Sequence, residues 1–156
     1  GLVPTLEDGD FVLWESHSIV RYISEKYGRA PWSPEDVTGR AAASQWMDWY
    51  LTKLHPHMTV IFWALIRTAP EDRDMDAVNA AVEQAGQMWT LLDKQLEGRD
   101  YLTGNEPTIA DIPAGCSVSR WYAMDVKSPS LPNSEAWHQR VQDRPAYQDH
   151  VIMPLT

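Results

Sequence analysis

Glu15-Ser16 stands directly ahead of a run in which Ile19, Tyr22, Ile23 and Lys26 share one helical face, so the pair opens a helix. A carboxylate side chain there suits an ammonium group. A hydroxyl beside the unpaired N–H groups of a helix start suits a carboxylate. Taken by itself, such a pair ordinarily reads as a solvated Glu beside an N-cap Ser. Val3-Pro4 lies at the entrance of a strand, where a trans peptide bond is the ordinary state. Ser16-His17-Ser18 cannot form a catalytic triad, because adjacent side chains at a helix start point apart, and His17 takes no assigned role. Trp46, Trp49, Tyr50 and Lys53 recur three and four residues apart, a stripe that fits a core as readily as a pocket wall. His55-Pro56-His57 raises a metal reading. Residues two apart do not share a helix face and no third ligand accompanies them, so a non-metal role is preferred. Cys116 is the one cysteine; its helical setting points to burial rather than nucleophilic chemistry.

The elements that must position these residues can be read in order. Val3, Thr5 and Leu6 precede Asp8-Gly9, a hairpin-turn dipeptide, and Phe11, Val12, Leu13 and Trp14 follow it. The helix opened by Ser16 stops at Gly28. A hairpin and one helix cannot bury both faces of a sheet, so residues 1–28 are expected to be the back half of a domain that begins before Gly1. Residues 29–34 form a linker with two prolines. Ser33 is expected to cap the next helix, with Pro34 at its first position and Glu35 and Asp36 at the positive end of the dipole. Ala42, Trp46, Trp49, Tyr50 and Lys53 then mark one face of a long helix, with a kink or break expected near His55 because Pro56 lacks an N–H. Its apolar pattern resumes at Val60 and ends at Ala69-Pro70. Val82, Ala85, Trp89, Leu92 and Leu96 form the packing seam of a second long helix, closed by Gly98. Thr108 and Asp111 have the spacing of a reciprocal capping box, and Pro113 falls in the first turn of the helix they start. Asn133 or Ser134 is expected to cap a further helix, and Pro145 to open the last one. No convincing strand follows Gly28. The fold class is therefore an α+β fragment followed by an all-α domain spanning residues 35–156.

Composition limits the function. Hydrophobic content of 44% and charged content of 22% are those of an ordinary soluble globular protein. No apolar run approaches the roughly 18 residues needed to span a bilayer, so no membrane role is expected. The first residues lack the basic head and apolar core of a signal peptide. A net charge of −9 repels a phosphate backbone, which makes nucleic acid an unsuitable partner. A lone thiol cannot form an internal disulfide and suits a reducing cytoplasm. The eight tryptophans are read mainly as core and interface packing.

Val3-Pro4, the hairpin through Asp8-Gly9-Asp10, Glu15-Ser16 at a helix start, and Thr108-Ile109-Ala110-Asp111-Ile112 occur together in one order. In this the chain resembles the glutathione S-transferase family, of the cytosolic, bacterial theta-like type, without the first part of its thioredoxin-like domain. The resemblance spans essentially the whole chain. It implies the C-terminal part of a thioredoxin-like domain followed by the family's helical bundle, and glutathione as cosubstrate with no metal. It further implies a small electrophilic substrate, a homodimer partly formed by the two long helices, and a cytoplasmic location.

In the family, the proline matching Pro4 is cis and turns the backbone of the residue matching Val3 toward glutathione's cysteinyl backbone. Glu15 would meet the γ-glutamyl α-ammonium, and Ser16 with the helix-start N–H groups its α-carboxylate. Attack by the glutathione thiolate on the electrophile is the implied reaction, with the thiol-activating residue upstream of Gly1 and the chain by itself incomplete for catalysis. No catalytic residue is assigned within it. The electrophile pocket is expected along the long helix, with Trp46, Trp49, Tyr50 and Lys53 as candidates, and at the C-terminal tail. The alternative is a non-catalytic interaction or regulatory module, as in the transferase-like parts of elongation factor gamma subunits and of the stringent starvation regulators. Retention of Glu15-Ser16 speaks against it. An isomerase, a dehalogenase or a disulfide reductase would share these features.

Overall fold

A computed structural model describes residues 3–155. Strands β1 (Thr5–Asp8) and β2 (Phe11–Trp14) pair antiparallel in a register that sets Thr5 opposite Trp14 and Asp8 opposite Phe11. The two loop residues are thus Gly9-Asp10, one position later than the dipeptide expected from sequence, with Gly9 at φ +62°. Glycine at the first loop position allows the backbone twist that a two-residue hairpin needs. Helix α1 (Ser16–Tyr27) folds back on the hairpin and is fastened by Asp8. One oxygen of that carboxylate accepts from the Tyr22 and Tyr27 hydroxyls, each at 2.7 Å, and from the Lys26 ammonium at 2.5 Å. These donors, Lys26 foremost, hold the Asp8 carboxyl down at about 2. Helix α1 ends at Gly28, whose extended backbone only glycine fits, since a Cβ there would sit 2.4 Å from the Ser24 carbonyl oxygen.

The next helix begins later than Ser33-Pro34 suggested. Asp36, not Ser33, caps α2 (Val37–Trp49), accepting from the Gly39 N–H at 2.8 Å and the Thr38 hydroxyl at 2.6 Å. Nor does the helix break at Pro56. It widens into a π turn over Tyr50–Leu54, in which the His55 N–H reaches the Tyr50 carbonyl, and continues as α3 (His55–Phe62) and a second π turn, Trp63–Arg67. Pro56 has no N–H for the Thr52 carbonyl, and widening the preceding turn accommodates that loss without a break. The buried side chains on this path are Ala43, Met47, Leu54, Met58 and Ile61. The face expected from sequence is only partly covered, and Lys53 is exposed.

Helix α4 (Met75–Gln95) packs against α3 along the anticipated seam, with Ala85, Trp89, Leu92 and Leu96 buried. Helix α5 (Asp111–Ala123) runs through the core, and its Trp121 meets Trp89 at a centroid distance of 6.2 Å. Asp111 returns a bond to the Thr108 N–H at 2.9 Å, as the capping-box spacing predicts. The Thr108 hydroxyl accepts from the Ala110 N–H instead of completing the box. Helix α6 (Pro132–Gln142) is capped by neither Asn133 nor Ser134. Asp93 of α4 accepts from the Ser134 N–H at 2.7 Å and from the Asn133 amide at 3.0 Å, so the cap is supplied from another helix. Pro145 opens α7 (Pro145–His150) as expected. No helix among the described residues is long and apolar enough to cross a membrane.

Candidate functional site

Two features meet at the open end of the hairpin. Continuing the ladder one residue beyond the Thr5–Trp14 pair brings Pro4 level with Glu15, so Val3, Pro4, Glu15 and Ser16 converge there. The Val3–Pro4 bond is cis, and Val3 is exposed. Glu15 is the one non-glycine residue with positive φ among those described, at φ 72° and ψ 113°. A Cβ-bearing residue held there stores of order 1–3 kcal/mol of backbone strain, a cost typical of ligand-contact positions. Its carbonyl accepts the first closed bond of α1, from the Ile19 N–H at 2.9 Å. Ser16 is therefore the first helical residue and not the N-cap. Neither the Glu15 carboxylate nor the Ser16 hydroxyl has a partner among the described residues, and both are exposed. An acceptor and a donor, beside the positive end of a helix, are free to face solvent or a ligand.

His17, the next residue, turns inward and is only 8% exposed. Its ring lies 5.9 Å from that of Tyr50, and burial pushes its pKa down. Arg21 ties the same helix to α2, pairing with the Asp48 carboxylate and donating to the Ser44 hydroxyl at 3.2 Å. The Glu15-Ser16 end is thereby held at a fixed position against the long helix.

On the inner side of that helix, Tyr50, His55, Met58, Phe62 and Trp63 face Ser117 and Arg120 of α5 across a cavity of about 250 Å³. The Tyr50 hydroxyl lies 3.2 Å from His55 Nδ1. Burial raises the Tyr50 phenol, with a Ser117 hydrogen bond acting the other way, and burial followed by the Arg120 charge lowers His55. Burial thus favours the neutral form of both groups. A second cavity of about 450 Å³ adjoins the first through Phe62 and Arg120 and is closed by the tail from Val151 to Leu155. The groove is more apolar than polar, with hydroxyls, the His55 and His138 imidazoles and the Arg67 and Arg120 guanidinium groups along it, a composition suited to a small organic molecule.

Of the four sequence-predicted pocket residues, Tyr50 lines this groove. Trp46 and Trp49 pack edge to face at 5.1 Å and lean on the core, while Lys53 points to solvent. His55, Phe62, Arg67 and Arg120 were not singled out as groove residues. The π turn that sets His55 and Phe62 in register leaves no signature in helical spacing, and Arg120 arrives from α5.

Two further constellations are structural. Ser119 lies 3.0 Å from His138 Nε2 and 2.7 Å from the Tyr147 hydroxyl. Tyr147 donates its proton to the Gly115 carbonyl at 2.6 Å, so Ser119 donates to Tyr147 and His138 donates to Ser119. The imidazole is thus not a base for this serine. Cys116 faces a separate apolar cavity with Trp32 and Tyr147, and burial pushes its thiol up, away from the nucleophilic form. Among the described residues no group of three or more His, Cys, Asp or Glu side chains is arranged to hold a metal ion.

Comparison with known proteins agrees with this architecture. Residues 54–145 match the family model described as glutathione S-transferase, C-terminal domain. The whole chain aligns with glutathione S-transferase GstB of Escherichia coli K12 at 33% identity over 158 residues, covering 76% of that protein. Mouse glutathione S-transferase theta-3 is 35% identical over 157 residues, which cover 90% of this chain and 61% of that one. Among solved structures, the theta class glutathione S-transferase of Xanthomonas axonopodis pv. citri with glutathione bound superposes with a TM-score of 0.94 at 38% identity, over 99% of this chain and 74% of that one. With fold and sequence in agreement, the chain belongs to the glutathione S-transferase family.

Proposed function

We propose that the chain binds glutathione at the open end of the hairpin and directs its thiolate at a small electrophile held in the groove between the long helix and α5. Glu15 receives the γ-glutamyl α-ammonium. The Ser16 hydroxyl and the free N–H groups of α1 receive the α-carboxylate, and the exposed backbone at Val3-Pro4 borders the cysteinyl moiety, which pairs there as an added strand. The free thiol has a pKa of about 8.5 and must ionise to react. Its sulfur then forms a bond to the electrophilic atom, and the leaving group, where there is one, departs with the bonding pair. No role in thiol ionisation is assigned to the described residues. Residues 1–28 form the glutathione-binding part, 29–34 the linker and 35–156 the helical domain of a cytoplasmic homodimer.

The observation that carries this reading is Glu15: an unpaired carboxylate on a positive-φ residue, immediately before a helix start whose first serine is also unpaired. A binding comparison tests it. Glutathione is expected to bind at least about tenfold more tightly than cysteinylglycine, which lacks the γ-glutamyl group, because that group supplies both charge-assisted contacts. Equal affinity for the two would remove the assigned roles of Glu15 and Ser16.

A further inference from the structure

His17 is the buried anchor of the turn that carries Glu15 and Ser16. Of residues 15–19 it alone is buried, and in the rest of α1 only Ser24 joins it. Its ring lies 5.9 Å from that of Tyr50, whose hydroxyl is in turn 3.2 Å from His55 Nδ1. The positive φ of Glu15 persists only where neighbouring structure over-determines it, and His17, two residues on, is the side chain that ties this turn to the long helix. Yet its Nδ1 is buried with no partner among the described residues. A leucine would fill the same seat without leaving a nitrogen unpaired. What an imidazole adds is the capacity to take up a proton near neutral pH.

The seat opposes that proton. Burial holds the His17 pKa down, and Arg21 on the next turn of α1 and His55 of α3 act in the same direction. The positive end of the helix adds to them. The carboxylates of Asp48 on α2 and of Glu15 act the other way, and Asp48 is already paired with Arg21. Burial favours the neutral phenol of Tyr50, so that ring supplies no counter-charge. A charged imidazole therefore leaves its seat, and Glu15 loses its support. We propose that His17 is a proton-sensitive positioning residue: neutral, it holds Glu15 and Ser16 in the arrangement that receives a γ-glutamyl group; protonated, it releases them. This rests on the glutathione site described above. The ammonium and carboxylate of a γ-glutamyl group bring no net charge to the turn, so the ligand does not itself favour the proton. Affinity for the ligand falls as pH falls through the His17 value, below about 6.5.

Two measurements, each made at about pH 7.5 and about pH 5.5, test this on the full chain, on His17→Leu and on His17→Gln. The first is the hydrogen-exchange protection factor of the Ile19 amide, whose bond to the Glu15 carbonyl closes the turn. It is expected to fall at least about fivefold at the lower pH in the unaltered protein and to stay within about twofold in both variants. The second is calorimetric titration with S-methylglutathione, which keeps the γ-glutamyl group and has no ionisable thiol. Its affinity is expected to drop at least about threefold at the lower pH in the unaltered protein and to stay within about 1.5-fold in the variants. Protection or affinity unchanged by pH in the unaltered protein, or the same fall in the variants, would each overturn the proposal. Absence of S-methylglutathione binding at both pH values would strike the proposed function, while the Ile19 amide still decides whether His17 governs the turn.

Discussion

Replacing Asp111 with alanine should remove a large share of the protein's stability. Its Oδ1 accepts from the Leu102 N–H and the Trp137 indole, each at 3.0 Å, and its Oδ2 from the Thr108 N–H at 2.9 Å. Asp111 is 2% exposed, and Leu102, Thr108 and Trp137 are buried with it. Burial pushes the carboxyl above its ordinary range, while these three donors act to keep it charged. Alanine leaves all three donors buried without an acceptor. Each such donor costs about 1–3 kcal/mol. Relaxation around the site and release of the carboxylate's own desolvation cost reduce the sum, giving an expected loss of about 3–5 kcal/mol. Against a total of roughly 5–15 kcal/mol for a domain, this is about a fifth or more. Asparagine keeps one carbonyl oxygen but turns an amide N–H toward one donor, so its loss should be smaller, about 1–3 kcal/mol. Urea unfolding followed by far-ultraviolet circular dichroism and tryptophan fluorescence measures both, provided the denaturant slope is unchanged. A loss under about 1 kcal/mol for the alanine variant would refute the view that this carboxylate joins the loop, α5 and α6.

Asp93→Ala strips the cap that α4 lends to α6 and should cost about 1–3 kcal/mol in the same assay, because the Ser134 N–H stays buried without an acceptor. Glu15→Gly relieves the positive-φ backbone and should raise stability by about 0.5–1 kcal/mol while weakening glutathione binding. A drop in stability with unchanged binding would contradict both halves of that statement. Burial lowers the pKa of His138, so as pH falls below about 6.5 the unfolded chain takes up its proton first, and stability is lost as pH falls through the folded value. His138→Gln should accordingly flatten the decline in unfolding free energy between about pH 7 and 5, and an unchanged slope would count against it.

Much of the fold was legible because local chemistry determined it. The apolar spacing from Val82 to Leu96 became the packing seam of α4, buried from Ala85 onward, the Thr108–Asp111 spacing became a side-chain bond at the base of α5, and Pro145 opened α7. What was not legible depended on partners distant in sequence or on backbone register. The cap of α6 comes from Asp93, 41 residues away from Ser134, and no pattern around Asn133 announces it. The π turn before Pro56 moves Tyr50 and His55 into one hydrogen-bonded pair, whereas regular helical spacing grouped Tyr50 with Trp46 and Lys53. Glu15-Ser16 was legible as a pair, but its positive φ and the inward turn of His17 required the folded backbone. Arg67 and Arg120 are 53 positions apart in the sequence and meet only across Phe62.

The central claim is that Glu15-Ser16 holds the γ-glutamyl end of glutathione, and calorimetric titration of glutathione into the unaltered protein and into Ser16→Ala tests it most directly. Binding in the micromolar-to-millimolar range is predicted, weakened in the variant by about 1–3 kcal/mol, a factor of roughly 5–150, through loss of one charge-assisted hydrogen bond. No measurable binding by the unaltered protein, or identical affinity in the two proteins, would contradict the account.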